Sequence, residues 1–154
     1  MTDPITLALP DEQATLTLGM RLADGVEAGM LIALHGPLGA GKTTLARGLL
    51  RGLGFEGRVK SPTYALVEVY KLSRLDLYHF DFYRFADPDE LIESGLQDAF
   101  NETNVCVVEW PERAGGLLPP ADVDVQLVIV NGTRSARLTA QTEYGAHCLQ
   151  KLKT

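Results

Sequence analysis

The stretch Gly36-Pro37-Leu38-Gly39-Ala40-Gly41-Lys42-Thr43 matches the phosphate-binding pattern G-x-x-x-x-G-K-[ST] in full, and nothing else in the chain limits its possible folds as tightly. Before it lies Met30-Leu31-Ile32-Ala33-Leu34-His35, a short apolar run that reads as a buried strand. After it, Thr44 to Leu53 carries Leu45, Leu49 and Leu53 on one helical face, with Gly54 where a helix cap belongs. Strand, glycine loop and helix, in that order, are the context the pattern needs. Glycines let the backbone bend so that successive N–H groups point inward, and the start of the helix adds its positive end. The stretch therefore predicts a bound nucleoside triphosphate, held by Gly36, Leu38, Gly39, Ala40, Gly41, Lys42, Thr43 and Thr44. Lys42 is expected to neutralise the β- and γ-phosphates, and the Thr43 hydroxyl to ligate Mg²⁺.

A chain of 154 residues is one domain by size, expected over 1–154, and can bury a core without disulfide or metal staples. The net charge of -6 argues against strong independent binding to nucleic acid, which needs a basic surface. Cys106 lies in an apolar run and Cys148 in a helical stretch, neither at metal-ligand spacing, so both read as buried free thiols in a reducing cytoplasm. No basic-then-apolar leader and no span of membrane length is expected.

Elsewhere the chain alternates strand and helix signals. Ile5 to Leu9 reads as a strand and Asp11 as the N-cap of a helix carrying Leu18, Leu22 and Val26. Leu66 to Tyr70 and Asp76 to Phe85 read as a hairpin, with Tyr78, Phe80 and Phe82 on one face and His79, Asp81 and Tyr83 on the other. Asp87-Pro88-Asp89-Glu90 starts a short helix that Gly95 ends. Val123 to Val130 and Arg134 to Ala140, joined by Asn131-Gly132, form the clearest hairpin, and Glu143 to Leu152 a closing helix.

A phosphate loop alone binds; hydrolysis or transfer also needs an acid near Mg²⁺. Val105-Cys106-Val107-Val108-Glu109 places a carboxylate at the C-terminal edge of a buried strand, where ligands gather in open α/β sheets, so Glu109 is assigned to the metal. Asp81 competes for that role, but its amphipathic strand suggests a sheet edge, which leaves it to position the attacking water or hold the outer shell of the metal. His79 is as readily a satisfied strand histidine as a functional group, and Arg84 either pairs with an acid or senses phosphate. Lys60-Ser61-Pro62-Thr63-Tyr64 follows the loop helix where phosphate-loop hydrolases place a switch segment; Ser61 and Thr63 are its candidate hydroxyls, and a plain Ser-Pro turn is the alternative. Trp110, beside Glu109, sits at the rim of the site or fills the core.

Taken together these blocks closely resemble the TsaE (YjeE) family of small bacterial ATPases in tRNA threonylcarbamoyladenosine synthesis. The resemblance rests on Gly36 to Thr44, Val59 to Tyr64, His79 to Arg84, Ala86 to Leu91, Val108 to Glu112 and Leu117-Leu118-Pro119, in family order. It implies ATP with Mg²⁺ as cofactors, and a parallel phosphate-loop core flanked by antiparallel strands. It also implies TsaB- and TsaD-type partners that themselves hold the tRNA. Lys42, Asp81, Thr63 and Ser61 become the catalytic candidates, and Trp110 a partner-facing or regulatory one. A small-molecule kinase should carry an arginine-rich lid, yet near Glu109 only Arg113 is present; a GTPase should carry Asn-Lys-x-Asp, which is absent. A nucleotide-gated binding module with little hydrolysis remains the alternative.

Overall fold

In the computed structural model, which describes residues 3–153, four helices and seven strands follow the chain as β1 (Ile5–Leu9), α1 (Glu12–Ala23), β2 (Leu31–His35), α2 (Lys42–Gly52), β3 (Val67–Lys71), β4 (Asp76–Asp81), α3 (Asp89–Ser94), β5 (Asn104–Glu109), β6 (Val123–Val130), β7 (Thr133–Ala140) and α4 (Glu143–Leu152). The strands make one sheet in the order β1-β7-β6-β2-β5-β4-β3. β6, β2, β5 and β4 run parallel; β3 joins one margin antiparallel, and β7 with β1 the other. This is the expected α/β class, a parallel core flanked by antiparallel strands. Residues 1, 2 and 154, part of the expected single domain, lie outside the described residues.

Burial explains the strand patterns. β2 and β5 are continuous apolar runs because both of their faces are covered. On one face, Leu45, Leu49 and Leu50 of α2 and Leu18 and Leu22 of α1 pack over Ile32, Leu34, Val105 and Val107. On the other, Leu91 of α3 and Ala114 of the 3₁₀ segment Pro111–Leu117 close over Leu31, Phe80, Phe82, Cys106 and Val108. β6 instead alternates, with Val123, Val125 and Leu127 fully buried and Gln126 and Val128 exposed.

The local signals work as their chemistry requires. Asp11 Oδ1 accepts from Ala14 N–H at 2.8 Å, capping α1. Glu90 reaches back to Asp87 N–H at 3.0 Å while Asp87 accepts from Asp89 N–H at 2.8 Å, a reciprocal cap. Asn131 and Gly132 both adopt positive φ, 52° and 78°, as the tight turn between β6 and β7 demands. α1 and α2 meet backbone to backbone: a Cβ on Gly48 would fall 2.2 Å from the Leu16 carbonyl oxygen, and one on Gly19 2.3 Å from that of Leu45.

Two expectations change. The strand bearing Asp81 is not at an edge; β3 is, and β4 lies between β3 and β5. Its polar residues belong to the covered face rather than to solvent, so alternation mimics an edge strand here. That strand also ends at Asp81 rather than Phe85. Asp81 Oδ1 accepts from Tyr83 N–H at 2.8 Å and Phe85 N–H bonds the Phe82 carbonyl, so the chain turns out of the ladder.

Candidate active site

Beyond His35 the chain leaves the sheet in a loop whose Gly39 and Gly41 have φ of 80° and 106°, left-handed values that L side chains rarely adopt. These turns curl the backbone around the start of α2, which opens directly at Lys42. The loop therefore aims N–H groups and a helix N-terminus at one point, as an anion site requires. Ala40 is buried beneath it, whereas Leu38 stands out at 62% exposure.

The remaining groups arrive from the C-terminal ends of β5 and β4. Register sets Glu109 beside Leu34 on one side and beside Asp81 on the other, so Glu109 lies next to the phosphate-loop strand and Asp81 one strand further out. Thr43 Oγ1 donates to Glu109 Oε2 at 3.0 Å. Thr63 Oγ1 donates to Asp81 Oδ2 at 2.9 Å, which ties the segment after α2 to the second acid. Trp110 takes a left-handed backbone (φ 58°) directly after Glu109, and its ring lies 4.2 Å from Lys42 Nζ and 5.0 Å from the Tyr83 ring. The Lys42 ammonium is further held by the carbonyls of Gly36 and Pro37, the latter at 3.1 Å.

These groups share one cleft of about 350 Å³. Leu38, Gly39, Gly41, Lys42, Thr43 and Thr44 line it, with Thr63, Asp81, Glu109 and Trp110 opposite. Burial lowers the pKa of Lys42, while the charges of Glu109, Asp81 and Glu112 act to raise it. A lysine so placed is poorly hydrated, and an arriving polyphosphate would supply the charge that water does not.

Not every expected residue reaches the cleft. Ser61 is exposed and stands one step back, hydrogen-bonded to Thr63 Oγ1 at 2.8 Å. Among the described residues Arg84 pairs with no acid, and it does not line the cleft; its guanidinium lies 4.2 Å from the ring centroid of Tyr64. His79, undecided from sequence, is fully buried, with Nε2 2.7 Å from Glu109 Oε2. Glu12 and Thr15 of α1 and Arg134 of β7 complete the lining and were not anticipated. Arg134 Nη2 donates to the Gly39 carbonyl at 2.8 Å, and Glu12 pairs with Arg47 at 2.8 Å. No motif marks these residues, because the sheet order and not the sequence brings β7 and α1 to the loop.

A hydroxyl and two carboxylates form an oxygen donor set suited to Mg²⁺ rather than to a softer metal. Among the described residues no three His, Cys, Asp or Glu side chains form a metal site by themselves. A cation here would complete its shell with phosphate oxygens and water, which is how Mg²⁺ usually binds alongside nucleotides.

The chain is similar to known proteins. The family model described as "Threonylcarbamoyl adenosine biosynthesis protein TsaE" matches residues 9–138. A protein of Haemophilus influenzae named tRNA threonylcarbamoyladenosine biosynthesis protein TsaE is 43% identical over 152 residues, covering 96% of each chain. A Treponema pallidum protein of the same name is 40% identical over 123 residues, covering 79% of this chain and 90% of that one. Among solved structures, Bacillus subtilis YdiB superposes with a TM-score of 0.79 at 28% identity, covering 99% of this chain and 97% of that one.

Proposed function

The chain belongs to the TsaE family, and from that premise we propose that it binds ATP with Mg²⁺ and hydrolyses it in support of threonylcarbamoyl transfer to adenosine in tRNA. A place in threonylcarbamoyladenosine biosynthesis follows from the family; the ATPase is our reading of the site. One observation carries it: Lys42, Thr43, Thr63, Asp81 and Glu109, drawn from four separate stretches, line a single cleft around the glycine loop.

In this reading the loop N–H groups and Lys42 hold the phosphates, so that Lys42 exchanges carbonyl contacts for phosphate oxygens. Thr43 and Glu109 hold Mg²⁺, which supplies charge neutralisation at the phosphates. Asp81 orients the attacking water. Its Oδ2 now carries the Thr63 hydroxyl, so a nucleotide that draws Thr63 toward the γ-phosphate frees that oxygen for water. Ser61 acts through Thr63. Trp110 packs on Lys42 and so couples the occupied cleft to the rim, where TsaB- and TsaD-type partners dock. The partners hold the tRNA, in keeping with the acidic chain, and the buried free thiols accord with the cytoplasm. Among the described residues no helix is long and apolar enough to cross a membrane.

Calorimetry and phosphate release, each with and without the partner proteins, test this. Lys42→Ala is expected to weaken ATP binding about 100-fold, as the loss of a charged contact implies. ATP binding without phosphate release under any condition would leave a binding module in place of the enzyme.

A further inference from the structure

Glu109 is gripped from two sides at one oxygen. Thr43 Oγ1 reaches Oε2 from the cleft at 3.0 Å, and His79 Nε2 reaches the same atom at 2.7 Å from within the protein. Oε1 takes no side-chain hydrogen bond among the described residues. The two grips differ in kind. A threonine hydroxyl in an open cleft can rotate, but the His79 ring has no exposed surface. Its Nδ1 is buried without a hydrogen-bond partner among the described residues. A proton on Nδ1 would be buried unpaired, so the proton sits on Nε2 and is donated to the carboxylate. The β4–β5 register explains the reach: His79 lies beside Val107, two positions before Glu109 on the same face of the sheet. An orphaned ring nitrogen in an apolar interior costs free energy, and a leucine there would carry no such cost.

We propose that His79 is the positioning residue for Glu109: it pins Oε2 and holds Oε1 available to the cation. This rests on the reading of Glu109 as the Mg²⁺ acid. Partners behind a liganding group commonly orient it and set its metal affinity.

The experiment reads metal binding rather than turnover. Mn²⁺, in place of Mg²⁺, is titrated into the ADP complex and followed by electron paramagnetic resonance, for wild type, His79→Leu, His79→Gln and Glu109→Gln. His79→Leu is expected to weaken Mn²⁺ about tenfold, within the range for loss of a ligand's supporting hydrogen bond. ADP affinity in the absence of metal should not change. His79→Gln, whose amide N–H stands near the position of Nε2, should recover most of the loss. Wild-type Mn²⁺ affinity in His79→Leu alongside a weakened Glu109→Gln overturns the positioning role alone. An unweakened Glu109→Gln overturns the metal assignment and the inference with it. Should the leucine variant not fold, nitrogen-15 NMR of the wild-type imidazole decides: a proton on Nε2 supports the proposal, and a proton on Nδ1 overturns it.

Discussion

β5 and β6 flank β2 on opposite sides, both parallel to it, yet their sequences follow different rules. Val105 to Glu109 is buried at every position, while β6 buries Val123, Val125 and Leu127 and exposes Gln126, Val128, Ile129 and Val130. The difference lies in what covers them. α3 and the Pro111–Leu117 segment close the second face over β5 and β4, but that face of β6 is largely open. A polar side chain therefore means different things on the two strands. On the second face of β6, Gln126 is solvent contact; on β4 and β5, His79, Asp81 and Glu109 lie on the face under α1 and α2 as buried polar groups, whose desolvation must be offset by bonds or by a ligand.

Stability measurements put this contrast at risk first. Phe80→Ala, on the covered side, should cost about 3–5 kcal/mol in urea unfolding, and Gln126→Ala on the open face no more than about 0.5 kcal/mol. Equal costs would mean that coverage does not separate the two strands.

Next, the open wing is not inert toward the site, since Arg134 of β7 reaches the Gly39 carbonyl. Arg134→Ala should weaken ATP about tenfold by calorimetry and lower stability by about 1.5 kcal/mol, the contribution of a hydrogen bond from a charged donor. No change would confine the site to the covered half.

Smaller still is the turn that folds β7 back onto β6. Gly132→Ala meets a φ of 78° and should destabilise by about 1 kcal/mol in chemical unfolding. Its ATP affinity should hold, because the turn lies beyond Arg134.

The smallest effect should treat both halves alike. Burial raises the Cys106 thiol on β5 to about 12 and the Cys148 thiol on α4 to about 11, from 9.0. Both stay protonated in the fold while the unfolded chain ionises above pH 9. Their contribution is thus full well below pH 9, begins to fall as pH approaches it, and goes on falling through about 11 and about 12. Between pH 8 and pH 9 the loss should be about 0.4 kcal/mol per thiol, read as the difference between wild type and the Cys106→Ala, Cys148→Ala double variant.

Much of this was legible in the chain, for local reasons. The phosphate loop, the Asn131-Gly132 turn and the Asp11 cap act within a few residues, and Glu109 at the end of an apolar run announces a buried carboxylate. What escaped depends on contacts between distant segments. Alternation in β4 suggests an edge because sequence shows a polar face without showing what lies over it. Glu12, Thr15 and Arg134 reach the cleft only because the sheet order sets β7 and β1 beyond β6 and packs α1 against α2. Arg84 and Ser61 lie within the motif blocks, but their side chains end on Tyr64 and Thr63.

The glycine contacts between α1 and α2 have a mechanical consequence. With Gly19 and Gly48 set against the opposing backbone, the two helices leave no slack for sliding or rolling. The helix that receives the phosphates is thus bolted to its neighbour, and pushing on Lys42 or Thr43 would move the pair as one stiff block. Across the cleft, Thr63 is moored to Asp81 by a single hydroxyl, and its segment is held by separate hydrogen bonds, such as that from Lys60 N–H to Tyr70 Oη, rather than by backbone packed on backbone. A force applied in the cleft divides unequally between a wall and a latch, and the latch yields first.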